Sequence, residues 1–246
     1  MPTRPADRKT VLAAVLLLIS LLLVISAGCG GGEGEEGASE LSIDELWNKV
    51  QEADAGIESR HMETVSYYEN TQYGGGESLS IIWDFSGDDY HEQQLLLGQV
   101  FFESMRVGGK YYEKKGVSGT WEEMPVESAS DEATEYTSRF MELPAIATSQ
   151  ERLGMEAIDG EEAEHIHFVL GTDGVNQLFS SQPSYDFSQS VGGEIDMWID
   201  SSRYYLLRYE LVIRNVPISE EMGYGDVRFV VNIRDFNEPI EITPPV

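Results

Sequence analysis

The chain has 246 residues, of which 44 are acidic and 16 are basic, so its formal net charge at pH 7 is −28. A surface this acidic repels nucleic-acid phosphates and anionic lipid headgroups, which argues against a nucleic-acid-binding protein and against electrostatic docking on a membrane. Cys29 is the only cysteine. An internal disulfide is therefore excluded, and a hydrophobic core has to stabilise the fold.

The first 28 residues have the pattern of an export signal: three basic side chains among the first nine residues, then an almost wholly apolar run over residues 11–25. The Ala-Gly-Cys ending at residues 27–29 resembles the bacterial lipoprotein signal, in which the cysteine is diacylated and becomes the new N-terminus. The alternative is a membrane-spanning anchor, because the run is nearly long enough to cross a bilayer. We therefore expect residues 1–28 to be a lipoprotein signal peptide and Cys29 to be the lipid attachment site. The mature protein would be extracytoplasmic, anchored to the bacterial cell membrane.

A glycine- and glutamate-rich stretch, GGGEGEEGASE, follows at residues 30–40. It contains almost no apolar surface to bury, and its glycines and like charges favour an extended chain. Residues 29–40 are thus expected to be the acylated cysteine and a flexible tether, and residues 41–246 a folded domain.

The folded domain is predicted to begin with a helix. Ser42 and Glu45 have the spacing of a capping box, and Gly56 marks the end of the helix. Between them the apolar residues recur at helical spacing, which predicts one buried stripe. The stripe consists of Ile43, Leu46, Trp47, Val50 and Ala53.

Beyond this helix the apolar period changes to two, which predicts an antiparallel meander. The alternating residues are Val65 and Tyr67, then Leu79, Ile81, Trp83 and Phe85, then Phe101, Met105 and Val107 ahead of a turn at Gly108 and Gly109. Residues 128–140 return to a helical pattern that Pro144 closes.

The last third of the chain carries the clearest strand signal. A strand is expected near residues 164–170 and a short helix near residues 173–179, followed by three alternating segments. The alternating residues are Ile195, Met197 and Ile199, then Tyr205, Leu207, Tyr209, Leu211 and Ile213, then Val227, Phe229, Val231 and Ile233. On the opposite phase lie Arg208, Arg214, Arg228 and Arg234, for which we expect cross-strand pairing with acids on a solvated face.

Several segments of the domain resemble the LolA-like and LppX/LprG-like bacterial lipoproteins. They are residues 193–200 (GEIDMWID), 205–208 (YLLR) and 235–242 (DFNEPIEI), with an upstream hairpin, residues 109–112 (GKYY) and 119–121 (GTW). The resemblance spans nearly all of residues 41–246. It implies an α+β fold in which a curved antiparallel sheet, a half-open β-barrel, is covered on its apolar face by helices around a cavity for acyl chains. A carrier branch of this family holds its closed state with an arginine in an early strand, and Arg60 lies near that position; a solvated arginine is the alternative.

The residues expected to line the cavity are Trp83, Phe85, Phe101, Met105, Met197, Ile199, Leu207, Tyr209, Phe229 and Val231. The same aromatic and methionine-containing faces are also compatible with a filled core packed against helices.

Other chemistry has weak support in the sequence. His165 and His167 would share a strand face beside acidic residues, but two histidines without a third ligand are better interpreted as a solvent-facing pair. Residues 88–92 (DDYHE) lack the spacing of a calcium loop and are expected to form a solvated turn. No nucleophile elbow, phosphate-binding loop or H-E-x-x-H motif is present. We therefore expect no catalytic residue, metal or cofactor.

Two functions follow from these expectations. The first is a membrane-anchored lipoprotein that binds or transfers lipids or acyl chains in a cavity under the sheet. The second is an envelope sensor or interaction module of the same fold that binds a protein partner.

Overall fold

The computed structural model describes residues 41–128, 140, 142–180 and 187–245. The expected export signal, Cys29, the tether and most of the helix expected over residues 128–140 lie outside the described residues. Residues 41–246 form one compact unit.

Eleven strands in the described part of the chain form a single antiparallel sheet. They are β1 Ser59–Thr71, β2 Gly74–Ser86, β3 Asp89–Leu96, β4 Gln99–Val107, β5 Lys110–Lys115, β6 Trp121–Met124, β7 Ser149–Ile158, β8 Glu161–Leu170, β9 Gly193–Asp200, β10 Leu206–Ser219 and β11 Gly223–Arg234. Their spatial order is β6-β5-β4-β3-β2-β1-β11-β10-β9-β8-β7, so β6 and β7 are the edges of an unclosed sheet. Because β1 pairs with both β2 and β11, the two ends of the domain meet at the centre of the sheet.

Three α-helices fall within the described ranges: α1 Ile43–Asp54, α2 Leu143–Ile146 and α3 Thr172–Leu178; a 3-10 helix spans Val126–Ser128. The capping box of α1 is confirmed, because the Glu45 amide donates to Ser42 Oγ and the Ser42 amide donates to Glu45 Oε2. None of the helices in the described ranges combines the length and apolarity needed to cross a bilayer.

The face of the sheet on which α1 packs is called here the inner face, and the opposite face the outer face. Leu46, Trp47 and Val50 of α1 are buried, and the Trp47 ring lies edge-on to Phe168 of β8 with 5.5 Å between centroids. Residues paired across antiparallel strands project to the same face, so the register extends the inner face across the sheet. Its fully buried members in β8–β11 are Ile166, Phe168, Leu170, Ile195, Met197, Ile199, Leu211, Ile213 and Val231.

Strand β7 was missed by the sequence pattern. The register shift between Arg152 and Gly154 breaks the alternation of β7, and the apolar side chains on either side of the glycine, Leu153 and Met155, are each 51% exposed. An edge strand with a bulge and half-exposed apolar residues has no clean period of two, because only one neighbour and little core constrain it.

Candidate functional site

Seven of the ten residues expected to line a cavity lie together on the inner face. Five of them are buried in the main core: Trp83, Met197, Ile199, Tyr209 and Val231. Phe85 and Phe229 are partly buried and pack against the same core. The structure therefore brings β2, β9, β10 and β11 to one apolar surface.

Leu207 does not belong to this surface. The register shifts between Leu206 and Arg208, so that Leu206 pairs with Ile199 and Arg208 pairs with Trp198. This bulge gives Leu206 the inner position and places Leu207 in a separate cluster with Ala163 and Trp198. Strict alternation assigned Leu207 to the inner face, and that assignment is wrong because an inserted residue reverses the phase.

Phe101 and Met105 are also placed differently. On β4 the inner-face phase is set by Ser104, which pairs with Glu92, the partner of Trp83. Met105 has the opposite phase and pairs with His91 and Tyr112 on the outer face. Phe101 is 38% exposed, near the tip of the β3–β4 hairpin. Alternation reveals two faces of a strand, but it does not say which of them meets the helices.

The inner face of β8–β11 is a filled core. Phe140 lies 4.3 Å from Tyr209 between ring centroids, and Phe179 lies 4.6 Å from Phe187 and 6.4 Å from Phe229. A small apolar recess between Val50 and Leu206 has a volume of about 10 Å³, roughly the space for one water. In this half of the sheet the filled-core alternative therefore describes the structure, and a cavity for an acyl chain remains a prediction.

Toward β3–β5 the inner face changes from apolar to polar. Trp83 and Phe85 of β2 are followed across the sheet by Glu92, which accepts a hydrogen bond from the buried Ser104 Oγ at 3.0 Å. Tyr111 is 3% exposed and donates to Glu113 Oε1 at 3.0 Å. Burial, and then this hydrogen bond, raise the pKa of Tyr111, so its hydroxyl stays protonated. Residues 89–92, expected to form a solvated turn, instead belong to β3.

Arg106 lies in this polar region, in the row that runs from Phe85 through Tyr90 to Arg106 and Tyr111. Its Nε is buried and has no hydrogen-bond partner among the described residues. A buried guanidinium nitrogen without a partner is costly, and an anionic or carbonyl oxygen would satisfy it. Arg106 was not among the predicted site residues, although its alternation with Met105 and Val107 was a signal that it faces the other side.

Arg60 is not a solvated arginine. Its Nη1 contacts Asp54 Oδ1 of α1 at 2.8 Å, its side chain is 14% exposed, and its guanidinium lies 5.3 Å from the centre of the Phe85 ring. Arg60 thus joins the last turn of α1 to the inner face of β1 and β2.

The outer face carries a network of charges and histidines. The predicted cross-strand pairing is confirmed for three of the four arginines, with Arg214 on Glu194, Arg228 on Glu69 and Arg234 on Glu63. The prediction is wrong for Arg208, which pairs with Glu210 of its own strand. His165 was expected to face solvent, but it is only 8% exposed. Its ring stacks on that of Trp198, with 4.5 Å between the ring centroids.

Carboxylate oxygens contact ring nitrogens of both histidines. His165 contacts Glu156 and Asp196, and His167 contacts the same Asp196 oxygen. Hydrogen bonds from Trp198 and His165 lower the pKa of Glu156. In the described part of the chain, no group of three or more His, Cys, Asp or Glu side chains has the arrangement of a metal site.

No family model matches the sequence, and no curated protein matches it by sequence. The fold is similar to the crystal structure of the lipoprotein LppX from Mycobacterium tuberculosis, with a TM-score of 0.52 and 16% identity over 82% of this chain and 100% of LppX. LprF from Mycobacterium bovis gives a TM-score of 0.45 with 15% identity over 82% of this chain and 97% of LprF. A LolA superfamily protein from Nitrosomonas europaea gives a TM-score of 0.31 with 7% identity over 83% of this chain and 96% of that protein. The chain therefore has the LppX-like fold that the resemblance in its sequence predicts, and at 16% identity the likeness concerns the fold alone.

Proposed function

We propose that the protein is an extracytoplasmic lipoprotein that binds a lipid or an acylated ligand on the inner face of its sheet. The observation that carries the proposal is the boundary on this face between apolar and polar residues. Ile81, Phe85 and Phe229 are incompletely buried beside the core, and the Arg106 Nε lacks a partner in the described residues a few strands away. An acyl chain against the first set and a headgroup oxygen on Arg106 would satisfy both.

The energetic requirement on such a ligand site is modest. A bilayer already stabilises a lipid chain by about 0.8 kcal/mol per methylene, so a binding protein has only to offer surface of similar apolarity. The filled core of β8–β11 means that a chain enters beside α1 or displaces it. The contact of Arg60 with Asp54 is the side-chain link that would hold α1 in its present position.

Adjacent isoleucines on β2 provide a matched test. Ile81 packs against the core on the inner face, whereas Ile82 pairs with Glu63 on the outer face. Ile81→Asn removes an apolar side chain that would contact the lipid's acyl chain, which should weaken the binding free energy by roughly 2 kcal/mol. This corresponds to about a thirtyfold loss of lipid affinity. Ile82→Asn should leave lipid binding unchanged. Both variants of residues 41–246 would be purified from the exported compartment of a bacterial host and compared by native mass spectrometry after incubation with lipid vesicles.

Three outcomes of this experiment are informative. A diacyl lipid mass on the wild-type domain that is lost only in Ile81→Asn supports the proposal. A lipid lost equally in both variants places the ligand elsewhere. A wild-type domain that stays free of lipid contradicts lipid binding.

The filled core favours a second candidate, an envelope sensor or interaction module that binds a protein partner. A fold whose inner face is occupied by its own side chains has no need of a lipid ligand. A lipid-free domain in the same experiment, together with a specific protein partner co-purified from the cell envelope, would favour this candidate. In neither case do we propose an enzymatic activity.

We further propose that Cys29 carries the lipid anchor, on the strength of the signal pattern before it. The Cys29→Ala variant is expected to remain unprocessed and to lack the diacylglycerol mass on its N-terminal peptide. Peptide mass spectrometry of the membrane fraction checks this, with the exposed Ser118→Ala as a control that keeps the modification. An unmodified thiol at Cys29 in the wild-type protein would refute the anchor.

A further inference from the structure

Two neighbouring hairpin tips at one end of the sheet expose apolar side chains. Leu96 and Leu97 close the β3–β4 hairpin and are 51% and 86% exposed; Phe101 of β4 is 38% exposed and Val117, between β5 and β6, is 68% exposed. The Gly116 amide donates to the Phe101 carbonyl at 2.7 Å and joins the two tips. Leu96, Leu97, Phe101 and Val117 are called here the tip patch.

The turn that presents Leu97 is unfavourable for leucine. Leu97 and Gly98 form the two-residue connection between β3 and β4, and both have positive φ, 51° and 73°. Such turns favour asparagine, aspartate or glycine at the first position, because the left-handed region crowds the Cβ of other residues. An 86% exposed side chain makes few contacts within the domain that offset this strain. A contact with a partner outside the chain would give this exposed leucine a role.

The tip patch also differs in charge from the rest of the chain. Residues 93–102 contain no charged side chain, and residues 114–121 contain two lysines and no acid, in a protein of net charge −28. Two acids beside these segments are already paired, Glu103 with Lys114 at 2.6 Å and Glu113 with Lys115 at 2.7 Å. Charges farther away than about 8–10 Å are screened at physiological salt, so the overall acidity does not prevent this end from meeting a bilayer.

The position of Leu41, where the chain enters the domain, is also compatible with a bilayer at this end of the sheet. The antiparallel order places the start of β7 at the same end of the sheet as the β3–β4 turn. Arg152, three residues into β7, donates to the Leu41 carbonyl at 2.6 Å, so Leu41 lies about 10 Å along the strand from that end. If Cys29 is acylated, the twelve residues from it to Leu41 span at most about 40 Å, which limits how far Leu41 can lie from the membrane.

From these observations we propose that the tip patch inserts into the interfacial layer of a lipid bilayer, as a second membrane contact beside the acyl anchor. Exposed apolar side chains beside charges that are already paired can partition into this layer. The proposal goes beyond lipid binding by the inner face and does not depend on it. It also gives Phe101 a place on the membrane-contacting surface and not in an internal cavity.

The test uses the full-length protein reconstituted into vesicles of phosphatidylethanolamine and phosphatidylglycerol. Val117→Cys carries a polarity-sensitive fluorophore, and Asp88→Cys, exposed in the β2–β3 turn at the opposite end of the sheet, is the matched control. The wild-type chain, whose only cysteine is Cys29, reports any background labelling. The decisive second change is Leu97→Asn, which removes the apolar side chain and suits the turn better.

We expect the label at position 117 to shift to shorter wavelength and to be quenched by lipid-borne doxyl groups, while the label at position 88 stays water-like. Leu97→Asn should reduce this shift and quenching while its melting temperature stays equal to or above that of the parent. Water-like emission at position 117 would overturn the proposal and leave the tip patch to a protein partner. Equal shifts at positions 117 and 88, or no effect of Leu97→Asn, would also overturn it.

Discussion

Replacing Trp47 by alanine is expected to lower the free energy of unfolding by about 3–5 kcal/mol, the range for removing a large aromatic side chain from a core. Trp47 is 3% exposed and is the largest side chain that α1 places on the sheet, with its ring against Phe168. Its loss leaves a cavity between α1 and β8 that the surrounding core cannot close completely. Urea unfolding followed by circular dichroism measures the difference.

A second tryptophan serves as the control. Trp121 lies on the edge strand β6 and is only partly buried, so Trp121→Ala is expected to cost clearly less. Equal losses in the two variants would show that α1 does not pack on the inner face in solution. The same pair bears on function, because a loosened α1 exposes more of the inner face to lipid.

Replacing Asp200 by asparagine is expected to cost about 3 kcal/mol at neutral pH, since it breaks a buried, charge-assisted network. Asp200 is 1% exposed, and it accepts hydrogen bonds from the Ser202 amide and hydroxyl and from the Arg203 amide and Nε, all at 2.7–2.8 Å. The asparagine NH₂ would face the Arg203 donor and leave both without an acceptor. The turn between β9 and β10 depends on this carboxylate.

The cost should depend on pH in a defined direction. Burial opposes ionisation of Asp200, but the hydrogen bonds from Arg203 and Ser202 outweigh it and hold its pKa below the ordinary 3.8. A lowered folded-state pKa gives stability that is present above the unfolded pKa and is lost as the pH falls through the folded pKa. The difference between wild type and Asp200→Asn should therefore be largest at neutral pH and shrink below about pH 4.

Urea unfolding at several pH values checks this expectation, with Asp88→Asn as the control. Asp88 is exposed in the turn between β2 and β3, and its substitution should cost little at any pH. A pH-independent cost at Asp200 would mean that packing, and not the charge, is responsible.

The inner face and the tip patch suit two different functions. The inner face joins a filled apolar core to a polar region around Arg106, which suits a ligand with a chain and a headgroup. The tip patch exposes apolar side chains where two neighbouring acids are already paired. A lipid arriving from a bilayer would meet the tip first and the inner face second.

Features that depend on residue spacing within one segment could be predicted from the amino-acid sequence. The capping box of Ser42 and Glu45, the buried stripe of α1 and the alternating strands β9–β11 all follow from spacing, because a helix face and a strand face repeat at fixed periods. The cross-strand pairing of three of the outer-face arginines also follows, since their phase opposes that of the apolar residues. The fold itself was predicted from the resemblance of several segments to LolA-like and LppX/LprG-like lipoproteins, and not from these periods.

The face that each strand turns to the core could not be predicted from the sequence and is known only from the tertiary structure. The bulge at Leu206–Arg208 moved Leu207 to the outer face, and the register of β4 did the same for Met105, because one inserted residue or one pairing choice reverses a strand without changing its pattern. The structure also decided that side chains fill the inner face of β8–β11 and that Leu97 is exposed in a left-handed turn. Packing and register arise between segments distant in the chain, and a period read along one segment carries no information about them.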